Sequence, residues 1–191
     1  MNNLNSDERV NIAGANRRGD IKYLKEAFID QRKANILDIN ELDKSNWLHN
    51  ALFIPSGKTP VKTVNFYIKH GVSVNSQDYS GSTPLHYAVQ QNNFPVVHLL
   101  LEAGADPKIK NQDGITPFDM AFGHNLFDIK IIEILLQYGA DPNYSPGGKN
   151  RLEILDFVLS NAILANKERE NIINAMKVIK KYVLNTHGFN L

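Results

Sequence analysis

Six histidines, at positions 49, 70, 86, 98, 124 and 187, are the side chains of this chain best suited to proton transfer or metal ligation. Their placement argues for structure instead. His49 and His86 occupy the same place in two related strings, Asn46-Trp47-Leu48-His49-Asn50-Ala51 and Thr83-Pro84-Leu85-His86-Tyr87-Ala88. A histidine that recurs with the string around it is explained by the string. His70 and His187 each precede a glycine, where a cation suits the C-terminal end of a helix dipole. His98 and His124 are left as candidate exposed contacts. Asp106 and Asp141 precede prolines and read as turn residues. No pair of carboxylates brackets an evident substrate site. The chain has no cysteine, which excludes disulfides, thiolate catalysis and cysteine-held zinc. It also lacks the glycine-rich phosphate loops, the H-E-x-x-H helix and the G-x-S-x-G elbow. No catalytic, cofactor-binding or metal-binding residue is therefore expected, and no cofactor.

The bulk properties narrow the field further. A length of 191 residues suits one domain, and 42% hydrophobic residues are enough for a core. A net charge of +1 gives no electrostatic case for nucleic acid or an anionic membrane. No apolar run approaches the roughly 18 residues of a membrane span. The start, Met1-Asn2-Asn3-Leu4-Asn5-Ser6-Asp7-Glu8, has neither the basic head nor the apolar segment of a signal peptide. These features lead to the expectation of a cytoplasmic monomer.

The elements that must carry any site are set by an internal repeat. Ser80-Gly81-Ser82-Thr83-Pro84-Leu85-His86 aligns with Asp113-Gly114-Ile115-Thr116-Pro117-Phe118-Asp119, and Thr83 and Thr116 are 33 residues apart. Gly71 and Gly104 are again 33 apart, and Gly104 and Gly139 are 35 apart. Each unit reads as two helices. Thr83 is a good N-cap, Pro84 fits the first helical position, and Leu85, Ala88 and Val89 form an apolar stripe. Asn92-Asn93 breaks that helix. A second one carries Val96, Val97, Leu99, Leu100 and Leu101, and Gly104 supplies the left-handed turn that ends it.

Thr83-Pro84-Leu85-His86-Tyr87-Ala88, the later Leu99-Leu100-Leu101-Glu102-Ala103-Gly104-Ala105-Asp106 and the period together resemble the ankyrin repeat. The resemblance is most specific over residues 79–143. It implies an all-α ankyrin-repeat solenoid of about five helix-turn-helix units with β-hairpin-like turns. The single domain then divides near 7–41 as N-terminal cap, 42–78, 79–112, 113–145, and 146–191 as C-terminal cap. Asn46 stands for the capping Thr in the second unit, and Trp47 stands where Pro84 does, read as core-edge packing. A four-residue insertion falls around Pro55–Pro60, as a functional loop or as decoration. In the first unit Gly19-Asp20 is the inter-helix turn and Leu24, Ala27 and Phe28 the buried side. In the fifth, Leu155-Asp156 echoes Phe118-Asp119. A helix over about 168–184 turns Ile172, Ile173, Met176, Ile179 and Val183 inward and closes at His187-Gly188. The resemblance also implies that the motif His bonds its own Thr and the neighbouring repeat's backbone. Asp119 and Asp156 depart from that His.

What the resemblance implies for function is protein binding without catalysis. Partners of such repeats lie on the concave face, along the hairpin tips and the solvent side of each first helix. Carried onto this chain, the variable positions are Asp43 and Ser45 in the second unit, with Phe53 and Ile54 beside the inserted loop. The third gives Tyr79, Ser80, Ser82, Gln90 and Gln91, and the fourth gives Gln112, Asp113, Ile115 and His124. Tyr79 and Ile115 are the most informative of these, since aromatic anchors dominate interface energy and Tyr79 is expected within the contact surface; the alternative is that both pack against the adjacent hairpin. A scaffold or adaptor is the leading reading. Alternatives are an inhibitor or immunity-type protein that blocks an enzyme, a bacterial host-directed effector delivered into a host cytoplasm, and, last, a small enzyme on a repeat scaffold.

Overall fold

The computed structural model describes residues 4–54, 57–123, 128–161 and 165–186, and these are helical with no strand. The chain divides into two compact units, Met1–Asp106 and Pro107–Leu191.

The first unit holds three helix pairs: α1 (Ser6–Arg18) with α2 (Ile21–Lys25), α3 (Trp47–Leu52) with α4 (Val61–Lys69), and α5 (Pro84–Gln90) with α6 (Phe94–Glu102). A π-helical stretch, Glu26–Asp30, continues α2. First helices pack on first helices and second on second, so each pair covers the apolar face of the next. Polar caps set the starts. Asn5 and Glu8 exchange side-chain and backbone hydrogen bonds at α1, and Asn46 Oδ1 accepts from the Leu48 and His49 N–H groups at α3. Gly19 ends α1 in the left-handed region, and Asp20 caps α2 through the Tyr23 N–H, as the Gly19-Asp20 turn requires. Leu24, Ala27 and Phe28 are buried, while Arg17, Arg18, Lys22 and Lys25 face solvent. Trp47 is buried as well. Its ring stands edge-on to Phe28 with centroids 4.8 Å apart, and its Nε1 donates to the Asn35 carbonyl.

The inserted segment after α3 is tied into the stack. Thr59, buried, donates its hydroxyl to the Ala51 carbonyl at 2.8 Å and accepts at its own carbonyl from Asn93 Nδ2 at 2.9 Å. Lys58 Nζ reaches the Asn92 carbonyl at 2.5 Å. Residues 55 and 56 lie outside the described residues.

The second unit holds α7 (Pro117–Met120), α8 (Ile129–Gln137), α9 (Arg151–Asn161) and α10 (Asn166–Thr186). Its core is mainly aliphatic, with Ile131, Ile132, Leu135, Ala175 and Ile179 buried, and Phe118 is buried too, its ring edge-on to Phe122 with centroids 5.3 Å apart. Two expectations are corrected here. The inner side of α10 is spaced through Ile172, Ala175 and Ile179, which leaves Ile173 42% exposed. The fifth unit is framed one helical turn earlier than Leu155-Asp156 suggests. Asn150 caps α9, Glu153 N–H donates to Asn150 Oδ1, and Asn150 Nδ2 donates to Glu153 Oε1. Glu153 therefore holds the frame position of His49 and His86, and Asp156 lies a turn further on in solvent. The expected closure at His187-Gly188 lies outside the described residues.

Candidate functional site

The site begins with two hairpin tips of the first unit. In the second of them Asp78 organises the backbone. Its N–H donates to the Ser82 carbonyl, and its Oδ1 accepts from the Ser80 and Ser82 N–H groups and the Ser80 hydroxyl. Gly81, at φ 76°, takes the left-handed residue that closes this turn. In the first tip Lys44 stands at the matching place, and it too is left-handed, at φ 58°. There the Asn40 N–H donates to the Ser45 carbonyl, and the Ser45 N–H to Asp43 Oδ1 at 2.9 Å. The Tyr79 N–H donates to the Asp43 carbonyl at 2.6 Å and joins the tips.

The first helices supply the floor. Asn46 N–H donates to Nδ1 of His49, so Nε2 carries the proton and donates to the Ser82 carbonyl at 3.0 Å, one repeat on. The Thr83 N–H and hydroxyl both reach His86 Nδ1, at 3.0 and 2.9 Å. Both histidines are buried capping residues. Tyr87, on α5, donates its hydroxyl to Asp78 Oδ2 at 2.5 Å. Phe53, just past α3, sets its ring perpendicular to Tyr87 with centroids 5.9 Å apart.

Together these residues enclose a cleft of about 300 Å³, lined by Asp43, Ser45, His49, Asn50, Phe53, Asp78, Tyr79, Ser80 and Tyr87. A second cleft of about 400 Å³ lies on the other side of the Phe53–Tyr87 wall, bounded by Leu52, Ile54, Gly57, Gln90 and Gln91. Phe53 is 72% exposed and Tyr79 71%.

The electrostatics are those of an anionic cleft. Burial acts to raise the Asp78 carboxyl, but hydrogen bonds from Tyr87, Ser80 and Ser82 outweigh it and hold the group below its ordinary value. The Tyr87 phenol is pushed up by burial and by the adjacent carboxylate. His49 is pushed down, mainly by burial, although the Ser82 carbonyl and the charges of Asp78 and Asp43 oppose that shift.

Of the residues expected at the site, Asp43, Ser45, Tyr79 and Ser80 meet at the first cleft, and Gln90 and Gln91 at the second. Three of these have structural work that the sequence did not reveal. Ser45 and Ser82 are buried, at 7% and 8% exposure, and Ser82 lies beneath the tip. Gln91 Nε2 donates to the Leu52 carbonyl and to Thr59 Oγ1, and its Oε1 accepts from the Thr59 N–H. Gln112 and Asp113 are exposed on the Asn111 turn of the second unit. Ile115 is half-buried there, its N–H donating to Asn111 Oδ1. His124 lies outside the described residues. Tyr87, Asn50 and Asp78 were missed. Tyr87 and Asn50 fill the variable position after the motif His, the same kind of signal that singled out Tyr79. Among the described residues no group of three or more His, Asp or Glu is placed to hold a metal ion, and no helix is long and apolar enough to cross a membrane.

In the second unit Asp119 takes over the motif His. Thr116 N–H and hydroxyl donate to Asp119 Oδ2 at 2.9 and 2.8 Å, so the local bond survives the substitution. Asp119 Oδ1 pairs with Arg151 Nη2, at the start of α9. His49 gives a proton to the next repeat, whereas Asp119 receives one.

Known proteins share this pattern. The family model for ankyrin repeats in many copies matches residues 67–121. An ankyrin repeat protein of Acanthamoeba polyphaga mimivirus is 29% identical over 154 residues, 75% of this chain and 20% of its own length. The nuclear factor NF-kappa-B p105 subunit of Gallus gallus is 33% identical over 133 residues, 67% of this chain and 13% of its own. An ankyrin repeat protein of Rickettsia felis is 42% identical over 79 residues, 37% of this chain and 34% of its own. The chain thus spans between 13% and 34% of the length of these relatives. The helix pairs, the Thr-Pro-Leu-His cap with its ring-to-carbonyl bridge, and these matches lead to one conclusion: the chain belongs to the ankyrin-repeat family.

Proposed function

We propose that this chain is a non-catalytic protein-interaction module that grips a folded partner through the hairpin tips and first helices of its first unit. The observation that carries the reading is the pair Phe53 and Tyr79. Two large aromatic side chains are held more than two-thirds exposed, Tyr79 on backbone fixed by the Asp43–Tyr79 link and the Asp78 turn, and Phe53 at the end of α3, its N–H donating to the His49 carbonyl at 2.7 Å. Keeping such rings in water is unfavourable unless something covers them, and aromatic side chains on rigid supports are what dominate interface energy. A catalytic use of the nearby histidine is disfavoured because both ring nitrogens of His49 already bind the scaffold. Tyr79, foreseen as an anchor, is kept; Phe53 and Tyr87 join it, and Gln90 flanks them across the wall.

The test compares the intact chain with a Phe53→Ala/Tyr79→Ala variant, each used to isolate partners from the native cell for mass spectrometry. Both substitutions remove exposed side chains, so the helical circular dichroism and melting midpoint should stay the same. The expected result is a protein recovered with the intact chain and lost with the variant. Recovery of the same proteins by both would place the interface elsewhere. Turnover of a substrate by the purified chain would overturn the non-catalytic reading.

A further inference from the structure

We infer that the first cleft is a receptor for one cationic side chain, lysine or arginine, projecting from the partner; this rests on the proposed interaction function and names the chemistry of its centre.

Two carboxylates, Asp43 and Asp78, line a space together with the aromatic residues Phe53, Tyr79 and Tyr87 and the neutral polar residues Ser45, His49, Asn50 and Ser80. Among the described residues neither carboxylate pairs with a lysine or arginine. The contacts that satisfy them come from neutral donors: the Ser45 N–H for Asp43, and Ser80, Ser82 and the Tyr87 hydroxyl for Asp78. Neutral donors orient a carboxylate without cancelling its charge. His49 could cancel it, but burial keeps that ring neutral around pH 7. The Tyr87 phenol, pushed up, stays a donor and adds no charge of its own. The cleft therefore holds about two uncompensated negative charges in a chain whose net charge is +1.

The aromatic walls fit the same occupant. A long cationic side chain lays its methylene stem along apolar surface and keeps its head polar. Its charged end is attracted to aromatic faces as well as to carboxylates. A volume of about 300 Å³ is at the lower end of ligand pockets, which suits one side chain better than a cofactor. A phosphate-bearing partner is disfavoured, since both carboxylates would repel it.

The probe is a phage-displayed library of random dodecapeptides, selected on the full chain and counter-screened on Phe53→Ala/Tyr79→Ala. Peptides whose binding needs the two rings are cleft binders. These should share a lysine or arginine. Replacing that residue by norleucine should weaken binding at least tenfold, Asp43→Lys should do the same, and Kd should rise with sodium chloride. Cleft binders with no shared cation, or with one whose norleucine replacement changes Kd by less than twofold, would overturn the inference and leave the interaction surface standing. If no peptide distinguishes the intact chain from the double variant, the surface itself falls with it.

Discussion

Asn16 shows how much a single polar residue can carry inside the first unit. It is 1% exposed, and both of its side-chain partners in the next repeat stand on α4. Tyr67 donates its hydroxyl to Asn16 Oδ1 at 2.8 Å, and Thr63 donates to the Asn16 carbonyl at 3.0 Å. Burial pushes the Tyr67 phenol up, so it stays a donor across the working pH range. Tyr67→Phe keeps the ring packed against Phe28 and Phe66 and strands the Asn16 oxygen. The expected cost is about 1–2 kcal/mol, the desolvation penalty of an unmet acceptor, read from the urea midpoint. An unchanged midpoint would mean that the bond contributes nothing net. His49 makes a prediction of different sign. Its folded pKa lies below the unfolded value of 6.5, mainly through burial. The stabilisation it brings is present above that value and is lost as pH falls toward the folded pKa. Stability of the chain should fall below about pH 6.5, and a His49→Gln variant should show a flatter slope there. Equal slopes in the two proteins would remove His49 as the cause.

At the scale of the element, the repeated object is the start of each first helix, and the chain builds it with different chemistry in each copy. Asn46 with His49, Thr83 with His86 and Thr116 with Asp119 close the same reciprocal cap, and Asn150 with Glu153 closes a variant of it in which the return bond comes from the Asn150 side-chain amide instead of its backbone N–H. The first two pairs and the Thr116–Asp119 substitution were legible in the sequence, because the flanking apolar residues keep the frame. The fourth was not. Arg151 at the first helical position conceals the motif, and Leu155-Asp156 imitates it one turn late. The physical reason for Arg151 is visible only in three dimensions. It stands at the first turn of α9, where the dipole disfavours a cation, and is offset by the buried Asp119 carboxylate and the Phe122 ring, 4.7 Å from the guanidinium carbon. The two substitutions in adjacent repeats are thus one device. Asp119→His should cost about 3 kcal/mol by leaving Arg151 buried without its anion. Arg151→Pro alone should cost a similar amount by stranding Asp119. The double variant restores a regular His and a regular first-turn proline. Its cost should be well below the sum of the two, measured as a double-mutant cycle on urea unfolding. Additive costs would show that the two positions are not coupled.

Over the whole molecule, the 33-residue step and the glycines that end the middle three repeats, Gly71, Gly104 and Gly139, set the frame from which the order of the helix pairs is read. They could not fix which surface residues work inward. Gln91 and Asp78 look like solvent-facing tip residues in the one-dimensional pattern, and the packing of the inserted loop and of Tyr87 decides otherwise. Nor does the step indicate how much each half of the chain can do alone. The first unit has three stacked helix pairs, an N-terminal face of exposed charge, and an aromatic cluster of Phe28, Trp47, Phe66 and Tyr67. The second has two pairs and a mainly aliphatic core that also buries Phe118. Repeat stacks gain stability from interfaces between neighbours, and about three repeats are needed before those gains exceed the entropy of ordering the chain. A fragment of residues 1–106 should therefore keep helical circular dichroism and unfold in one cooperative urea transition. Residues 107–191 alone should melt without cooperativity. Because both carboxylates and all three rings of the cleft lie in the first fragment, it should also bind any peptide selected on the full chain, with Kd within about threefold. A cooperative transition in the second fragment, or loss of peptide binding by a folded first fragment, would show that stability and recognition are not apportioned between the units in this way.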